Sequence, residues 1–273
     1  LEGTPPENCI LERWRTWAHA QGARLLDRLR DGVENAIRVL GNGFLLAPGN
    51  RTLRDELSSG ALSSQEFFQE LLRMVYRLIF LFVAEDRELL HPPETPDEVR
   101  KFYREHYSTA RLRERAARLR GTRKHVDLYE GLKTVFRALE RGEPALGLPG
   151  LGSFLWSREA MPHLEASELD NQHLLEAIRA LAYTEEQGVR RPVDYRNLGV
   201  EELGSVYESL LELHAVIEER TFHLRHAAGS ERKSTGSYYT PDELVQELLD
   251  SALEPVLERR LRGLEGEAAE RAL

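Results

Sequence analysis

Apolar residues recur at helical spacing along most of the chain, beginning close to its start. One such pattern runs from Cys9 to Leu40 and predicts a long amphipathic helix. Gly41, Asn42 and Gly43 follow it directly, and glycine or asparagine just after the last periodic residue is typical of a helix C-cap. We therefore predict that the first helix ends at Leu40.

A capping box predicts where the second long helix begins. Ser63 and Glu66 have the Ser-x-x-Glu spacing in which each side chain bonds the backbone of the other residue. The apolar run LIFLFVA follows and predicts a helical segment that is buried on all sides. The run is far shorter than the roughly 18 apolar residues of a membrane span. Pro92 and Pro93 are expected to end this helix.

The rest of the chain is also predicted to be mainly helical. The stretch GEPALGLPGLGSFLW is rich in glycine and proline and predicts a loop. Residues Thr221–Leu224 alternate between polar and apolar side chains and are the best strand candidate. The expected fold class is mainly α, a multi-helix domain with at most a short strand or hairpin near residues 220–239. The further helices are predicted at residues 97–120, 127–139, 171–182 and 200–219.

Charge is distributed unevenly over the chain. The formal net charge of −9 argues against indiscriminate binding to nucleic acid. However, residues 111–125, which we call the basic island, contain six arginines and one lysine but a single glutamate. One acid cannot neutralise seven cations within a helix, so contact with DNA phosphates is one hypothesis and ion pairing with the acidic remainder of the protein is the other. The candidate DNA contacts are Arg111, Arg115, Arg118, Arg123 and Lys124.

Metal chemistry has little support in the sequence. Cys9 is the only cysteine, which excludes an intrachain disulfide or a thiolate cluster and fits a reducing cytoplasm. His223 and His226 have no acid at ligand spacing, so no metal site is expected. Glu231 and Lys233 have the Glu-x-Lys spacing of metal-dependent nucleases, but they follow Ala-Ala-Gly-Ser rather than an apolar strand. A flexible basic segment is the expected structure there.

The stretch RKSTGSYYTPDELVQELLD combines two adjacent tyrosines with a strong helix start. Thr240 is a good N-cap, Pro241 suits the first turn, and Glu243 completes a capping box. The free N–H groups of a helix N-terminus can hold a carboxylate or a phosphate, and Tyr238 and Tyr239 offer an apolar wall with polar tips. The stretch therefore predicts either a small-ligand site or simply a capped helix whose tyrosines pack on the core.

The same stretch resembles the motif that precedes the cofactor loop in adenine-N6 DNA methyltransferases of the type I and type IIG restriction-modification kind. In that family a Gly-x-Tyr-Tyr-Thr-Pro element lines the S-adenosylmethionine pocket. The resemblance implies that Tyr238, Tyr239, Thr240 and Pro241 contact this cofactor. Upstream, RLIFLFVAEDRELL and VDYRNLGVEELGSVYESLLELH are similar to the helical region that joins nuclease or specificity parts to the methylase domain, also in large phage-defence methylases.

Two family motifs are missing from the sequence. Neither the glycine-rich cofactor loop nor the Asn-Pro-Pro-Tyr motif that grips a flipped adenine is present, and His91-Pro92-Pro93-Glu94 lacks the amide and the aromatic that the latter needs. The chain also begins at Leu1 rather than at methionine. The expectation is therefore a fragment with no catalytic residue, inactive alone, with a helical linker and DNA-contacting region over residues 1–220 and a truncated methyltransferase domain over residues 221–273.

The resemblance implies methyl transfer from S-adenosylmethionine to a flipped adenine by a complete, cytoplasmic enzyme of a restriction-modification or phage-defence system. The partners it implies are double-stranded DNA, the rest of the methyltransferase domain and, in some such enzymes, a nuclease or specificity domain; no membrane is implied. The alternative is a helical DNA-binding or interdomain scaffold without enzymatic activity. In that case the helix after Thr240-Pro241 is purely structural.

Overall fold

The computed structural model describes residues 10–119, 122–186, 188–210, 213–226 and 242–262, and within α1 it describes side chains from residue 27 onward. The described residues are mainly helical, which confirms the predicted fold class. The helices are α1 (Ile10–Leu46), α2 (Arg51–Ser59), α3 (Ser64–Asp86), α4 (Asp97–His106), α5 (Thr109–Ala117), α6 (Asp127–Arg141), α7 (Pro162–Glu165), α8 (Asn171–Ala182), α9 (Val200–Leu210), α10 (Asp242–Leu248) and α11 (Glu254–Leu261). The strands are β1 (Tyr183–Glu186), β2 (Val189–Pro192), β3 (Leu213–Glu218) and β4 (Thr221–His226). Within these residues, no helix has the length and apolar character that crossing a membrane requires.

Helix α1 continues past its predicted end because its glycines allow close packing. A Cβ atom on Gly41 would lie 2.7 Å from the ring of Phe222, and one on Gly43 would lie 2.6 Å from the side chain of Leu169. Asn42, between them, donates to the carbonyl of Phe222 at 3.1 Å and accepts its N–H at 3.0 Å. The glycines thus serve contacts with other parts of the fold, and the predicted C-cap at Leu40 was wrong.

Helix α3 begins as predicted and ends earlier. The hydroxyl of Ser63 accepts the N–H of Glu66 at 3.1 Å, and the Glu66 carboxylate accepts the N–H of Ser63 at 2.9 Å, which confirms the capping box. The LIFLFVA run is largely buried, although the side chain of Phe80 is 39% exposed. The helix ends at Asp86, because the chain turns at Glu88, whose φ is +58°, before it reaches the two prolines.

The helix predicted over residues 97–120 is divided into α4 and α5. Ser108 has an extended backbone, and its hydroxyl accepts the N–H of Arg111 at 3.2 Å, so it is the N-cap of α5. Helix α5 ends at Ala117, and Leu119 has a left-handed φ of +44°. On its inner side, Leu112 and Ala116 are buried in the hydrophobic core, which anchors α5 against α3 and α8.

The helix predicted over residues 200–219 is too long. Its second half forms strand β3, where Val216 and Ile217 favour extended structure. Strand β3 pairs with β4 in an antiparallel hairpin whose register joins Leu213 to His226. The predicted strand Thr221–Leu224 lies within β4 and is confirmed. The predicted boundary between residues 220 and 221 falls in the turn of this hairpin.

A second hairpin, β1–β2, has no counterpart in the prediction. Its register pairs Tyr183 with Pro192 and Glu186 with Val189. It follows α8 directly, and every residue of β2 is exposed. Short strands rich in charged residues give no clear alternation, which is why the pattern of apolar residues did not reveal them. Helix α2, a nine-residue element, was also not predicted.

The remaining predictions agree with the structure at most positions. Helices α6 and α8 begin at the predicted residues Asp127 and Asn171. The Asp127 carboxylate does not cap α6, however, because it accepts the side-chain amide of Asn171 at 2.8 Å. Residues 142–156 are largely loop with two single turns of 3-10 helix. Helices α10 and α11 present exposed apolar side chains, and the predicted cap Thr240 lies outside the described residues.

Candidate nucleic-acid interface

The N-terminus of α5 is held by a buried carboxylate from the last turn of α3. One oxygen of Glu85 accepts the N–H of Thr109 and the hydroxyl of Tyr103, both at 2.8 Å. The other accepts the Thr109 hydroxyl at 2.7 Å and the N–H of Ala110 at 2.8 Å. These bonds satisfy donors that a helix N-terminus leaves free, although burial still raises the pKa of Glu85. Glu85 thereby fixes where α5 begins.

The next residue of α3 binds an arginine of the basic island. The Asp86 carboxylate pairs with the Arg113 guanidinium through two hydrogen bonds of 3.0 and 2.6 Å. The guanidinium also lies over the ring of Phe82, 4.9 Å from its centroid. Such a two-pronged, partly buried pair is among the stronger charge interactions in proteins. Arg113 therefore holds the fold together, as the ion-pairing hypothesis for the island expects.

Two other arginines of α5, Arg111 and Arg115, form no ion pair with a carboxylate among the described residues. Burial lowers the pKa of the Arg111 guanidinium, the positive charge of Arg115 lowers it further, and Asp127 partly offsets both effects. The Nε atom of Arg111 is buried and has no acceptor among the described residues. Bringing two like charges together costs free energy, and an anion that contacts both guanidiniums would offset that cost.

The other candidate DNA contacts lie beyond the helix. Arg118 is the C-cap residue of α5 and follows its last helical residue, Ala117. Its side chain is exposed, as are those of Arg123 and Lys124 in the turn before α6. None of these three side chains forms an ion pair within the described part of the chain. They remain available to an external anion.

The β1–β2 hairpin adds two cations that sequence reasoning missed. Arg190 donates to the carbonyl of Ala117 at 3.3 Å, and the hydroxyl of Tyr183 donates to the carbonyl of Arg113 at 3.3 Å. These bonds attach the base of the hairpin to α5. Arg190 and its neighbour Arg191 are both exposed. The cations of the basic island and those of the hairpin therefore meet at the C-terminal end of α5.

We call these seven side chains the cationic surface, and their charge is only partly neutralised by nearby acids. Glu114 lies on α5 itself, Asp127 lies near Arg111, and Glu185 lies opposite Arg190 in the hairpin. Glu186 of β1 is a fourth acid, and seven cations against four acids still leave an excess of positive charge on a protein whose net charge is −9. Its members are Arg111, Arg115, Arg118, Arg123, Lys124, Arg190 and Arg191.

A cleft of about 460 Å³ opens beside this surface, between α1, α8 and the β1–β2 hairpin. Gly32 of α1 and Ala180 of α8 lie at its lining, where a Cβ on Gly32 would be within 2.4 Å of the Ala180 carbonyl oxygen. Positive and negative charges balance inside the cleft, so it does not select anions. Its charged lining residues are Arg28, Asp31, Glu176, Arg179, Glu185 and Arg190.

The two upstream stretches that carry the family resemblance meet in space at the end of α3. Arg87 donates to the carbonyls of Arg196 and Leu198 at 2.9 and 2.8 Å, across a sequence separation of 109 residues for the first. The rings of Phe82 and Tyr195 form an edge-to-face contact with centroids 5.2 Å apart. The last turn of α3 thus joins the second stretch, while Glu85 and Asp86 join α5.

The other predicted site residues do not form a described site. The cofactor-binding candidates lie outside the described residues; they are Tyr238, Tyr239, Thr240 and Pro241. His223 lies opposite Val216 in the β3–β4 hairpin. Across the ranges that the structure describes, no group of three or more His, Cys, Asp or Glu side chains is arranged to hold a metal ion.

Comparisons with models of known protein families, with curated proteins and with solved structures found no match to this chain. Its function is therefore inferred from its residues and their geometry.

Proposed function

We propose that this chain is the helical, DNA-contacting part of an adenine-N6 DNA methyltransferase from a restriction-modification or phage-defence system. The complete enzyme transfers a methyl group from S-adenosylmethionine to an adenine that is flipped out of the duplex. In this proposal Tyr238–Pro241 form one wall of the cofactor pocket, and the cationic surface contacts the DNA backbone. The rest of the methyltransferase domain supplies the catalytic groups.

The observation that carries the proposal is the junction at the end of α3. Within RLIFLFVAEDRELL, Glu85 accepts hydrogen bonds from the N-terminus of α5, and Asp86 pairs with Arg113. Arg87 donates to the carbonyl of Arg196, near the start of the second stretch, VDYRNLGVEELGSVYESLLELH. The contact between the two stretches supports treating them together as one functional unit.

The extent of α5 is suited to a short section of DNA backbone. Its nine residues span about 14 Å, which is close to the rise of about four base pairs along a strand. Arg111 and Arg115 lie within the helix, and Arg118 follows at its end. Arginines spread over this length match several successive phosphates, which supports contact with the backbone rather than with a single small anion.

The DNA-binding part of the proposal is tested with a triple variant. Replacing Arg111, Arg115 and Arg118 with alanine should weaken duplex binding similarly on all sequences, because phosphate contacts carry no sequence information. The slope of log affinity against log salt should flatten by up to about 0.9 for each phosphate that the variant no longer neutralises. The control is Arg51→Ala, which removes an exposed arginine from α2. An unchanged salt slope in the triple variant would contradict the proposed interface.

The cofactor part is tested with Thr240→Ala in the product of the intact gene. Loss of the cap alone should cost about 1 kcal/mol of stability. If the residue also lines the cofactor pocket, the affinity for S-adenosylmethionine and the transfer of a labelled methyl group to DNA should fall by more than this loss explains. A variant that melts at a lower temperature but binds the cofactor like the wild type would identify Thr240 as a cap only.

A second candidate is a helical DNA-binding or interdomain scaffold without enzymatic activity. One observation favours it: all seven residues of the cationic surface lie at or before residue 191, so the surface does not use Tyr238–Pro241. The methyl-transfer assay separates the two candidates. DNA binding by an intact gene product that transfers no methyl group on any DNA would favour the scaffold.

A further inference from the structure

The second strand of the β1–β2 hairpin lies exposed to solvent. All four residues of β2 are exposed, and the apolar side chain of Val189 is 56% exposed. An isolated two-stranded hairpin is marginally stable in water. This hairpin is held at its base, where Tyr183 and Arg190 bond carbonyls of the α5 region. Its far end, near Gly188, lies in solvent.

The register places the two arginines of β2 on opposite faces of the hairpin. Arg190 lies opposite Glu185, and both line the cleft between α1 and α8. Arg191 pairs through its backbone with Thr184, which is half-buried and also lines the cleft. By the alternation of the strand the Arg191 side chain lies on the other face, and it makes no hydrogen bond or ion pair with the residues that the structure describes. Arg191 therefore presents its guanidinium outward while Arg190 secures the hairpin base.

We propose that the β1–β2 hairpin enters a groove of the DNA duplex and that Arg191 reads base edges there. This inference rests on the proposed DNA binding and extends it from backbone contact to sequence recognition. A two-stranded ribbon fits the major groove, where the fork of an arginine matches the two acceptors of guanine. The other residues of the cationic surface, to which the hairpin is attached through the bond from Arg190 to Ala117, would hold the phosphates on either side.

The outer face of the hairpin carries the residue type that distinguishes guanine. The planar fork of Arg191 matches the two acceptors that guanine presents in the major groove. Glu185 of β1 is exposed but lies opposite Arg190, on the face that lines the cleft. Its carboxylate therefore does not oppose a polyanion that is bound at the outer face.

A protein partner is less well matched to this surface. The centres of protein–protein interfaces are enriched in aromatic residues and depleted in charge. Of the described side chains on the outer face, Val189 is the one apolar residue, and Arg191 is charged. The neighbouring cations of α5 also favour a polyanion. DNA is therefore the occupant to which the inference commits.

The experiment measures sequence preference and affinity separately with the full 273-residue chain. The chain is incubated with a pool of randomised duplexes, and the bound fraction is sequenced. Affinities for the most enriched duplex and for an unrelated duplex are then measured over a range of salt concentrations. The variants are Arg191→Ala, Arg191→Lys and, as a matched control, Arg118→Ala, which removes another exposed arginine of the cationic surface. Thermal melting verifies that these exposed substitutions leave the fold intact.

The wild type should prefer its enriched duplex, and both Arg191 variants should lose that preference by about tenfold or more. Arg191→Lys should retain the wild-type salt dependence, because lysine keeps the charge but lacks the planar fork. Arg118→Ala should weaken binding to both duplexes equally and preserve the preference.

Three results would overturn the inference. The first is a wild type without sequence preference, and the second is an Arg191→Ala variant that retains the full preference. The third is an Arg191→Ala variant whose affinity falls equally for both duplexes, as expected for Arg118→Ala. Each of these leaves the proposed DNA binding in place. If the wild-type chain binds no duplex at all, the DNA-contacting function falls together with the inference.

Discussion

The inner and outer sides of α5 use the same residue type for opposite purposes. Arg113 points towards α3, where the carboxylate of Asp86 and the ring of Phe82 occupy its guanidinium. Arg115, two residues later, lies beside Arg111, and no carboxylate within the described residues pairs with it. One arginine is part of the fold, and the other is available to a ligand.

This difference shows that a cluster of charged residues in a sequence does not reveal which of them lack an ion-pair partner in the fold. The partner that neutralises Arg113 is 27 residues away in the chain and comes from another helix. Only the packing of α5 on α3 decides which arginine meets that acid. A basic island is therefore best divided by its contacts before any of its members is assigned to DNA.

The largest expected effect comes from removing the carboxylate that positions α5. Glu85→Ala should lower the free energy of unfolding by about 3 kcal/mol, because it leaves several buried donors without an acceptor, among them the N–H groups of Thr109 and Ala110. Glu85→Gln keeps one acceptor oxygen and should cost less than half as much. Chemical denaturation measures both values, and equal losses for the two variants would contradict the capping role.

Breaking the inward ion pair should have a somewhat smaller effect. Arg113→Ala should cost about 2 kcal/mol of stability, since it leaves the Asp86 carboxylate partly buried and unpaired. The double variant with Asp86→Ala should cost less than the sum of the two single changes, because no charge is then left without its partner. Additive losses in this double-mutant cycle would show that the two side chains do not stabilise the fold as a pair.

The outward arginine should matter for DNA and hardly for stability. Arg115→Ala should change the free energy of unfolding by no more than about 0.5 kcal/mol, because the substitution removes a repulsion with Arg111 rather than an ion pair. The salt slope of duplex binding should nevertheless fall by about 0.9 if Arg115 neutralises one phosphate in the wild type. A loss of stability as large as that of Arg113→Ala would place Arg115 in the fold as well.

The smallest expected effect is the heat of binding when S-adenosylmethionine is titrated into the chain. The 273 residues contain Tyr238–Pro241, which are proposed to form one wall of the pocket, but not the glycine-rich loop of the family that the sequence resembles, so a bound ligand would stay largely solvated. Calorimetric titration should therefore detect no tight binding, in contrast to duplex DNA, whose proposed binding surface lies within the chain. Micromolar affinity for the cofactor would mean that these residues already form a complete pocket.

The parts of the fold that depend on local signals could be predicted from the sequence. The capping box at Ser63 and the starts of α6 at Asp127 and α8 at Asn171 were placed correctly. The strand at Thr221 was found from its alternation, although its partner was assigned to a helix. Such features depend on neighbours within a few residues, and those neighbours are visible in the sequence.

The parts that depend on distant contacts could not be predicted. Gly41 and Gly43 have the composition of a helix end, yet they allow close contacts with Phe222 and Leu169. The break before α5 depends on Ser108 together with a carboxylate from α3. A sequence pattern contains the residue types in both cases but not the surface that each one meets.

The candidate site was predicted in the same uneven way. The five candidate cations of the basic island were singled out by their number and by the presence of a single acid within the island. Arg190 and Arg191 were missed, although Gly188 between two short polar segments gave a weak hairpin signal. They join the proposed site because Arg190 bonds the end of α5, an arrangement that no local pattern encodes.

The last turn of α3 has a consequence for local unfolding. Helix ends usually fray first, but Glu85, Asp86 and Arg87 each bind a different segment of the protein. Fraying of this one turn would release the start of α5, the Arg113 pair and the chain near Leu198 at the same moment. Amide hydrogens in these three segments should therefore exchange with solvent at one common rate, as a single cooperative unit rather than as three independent ones.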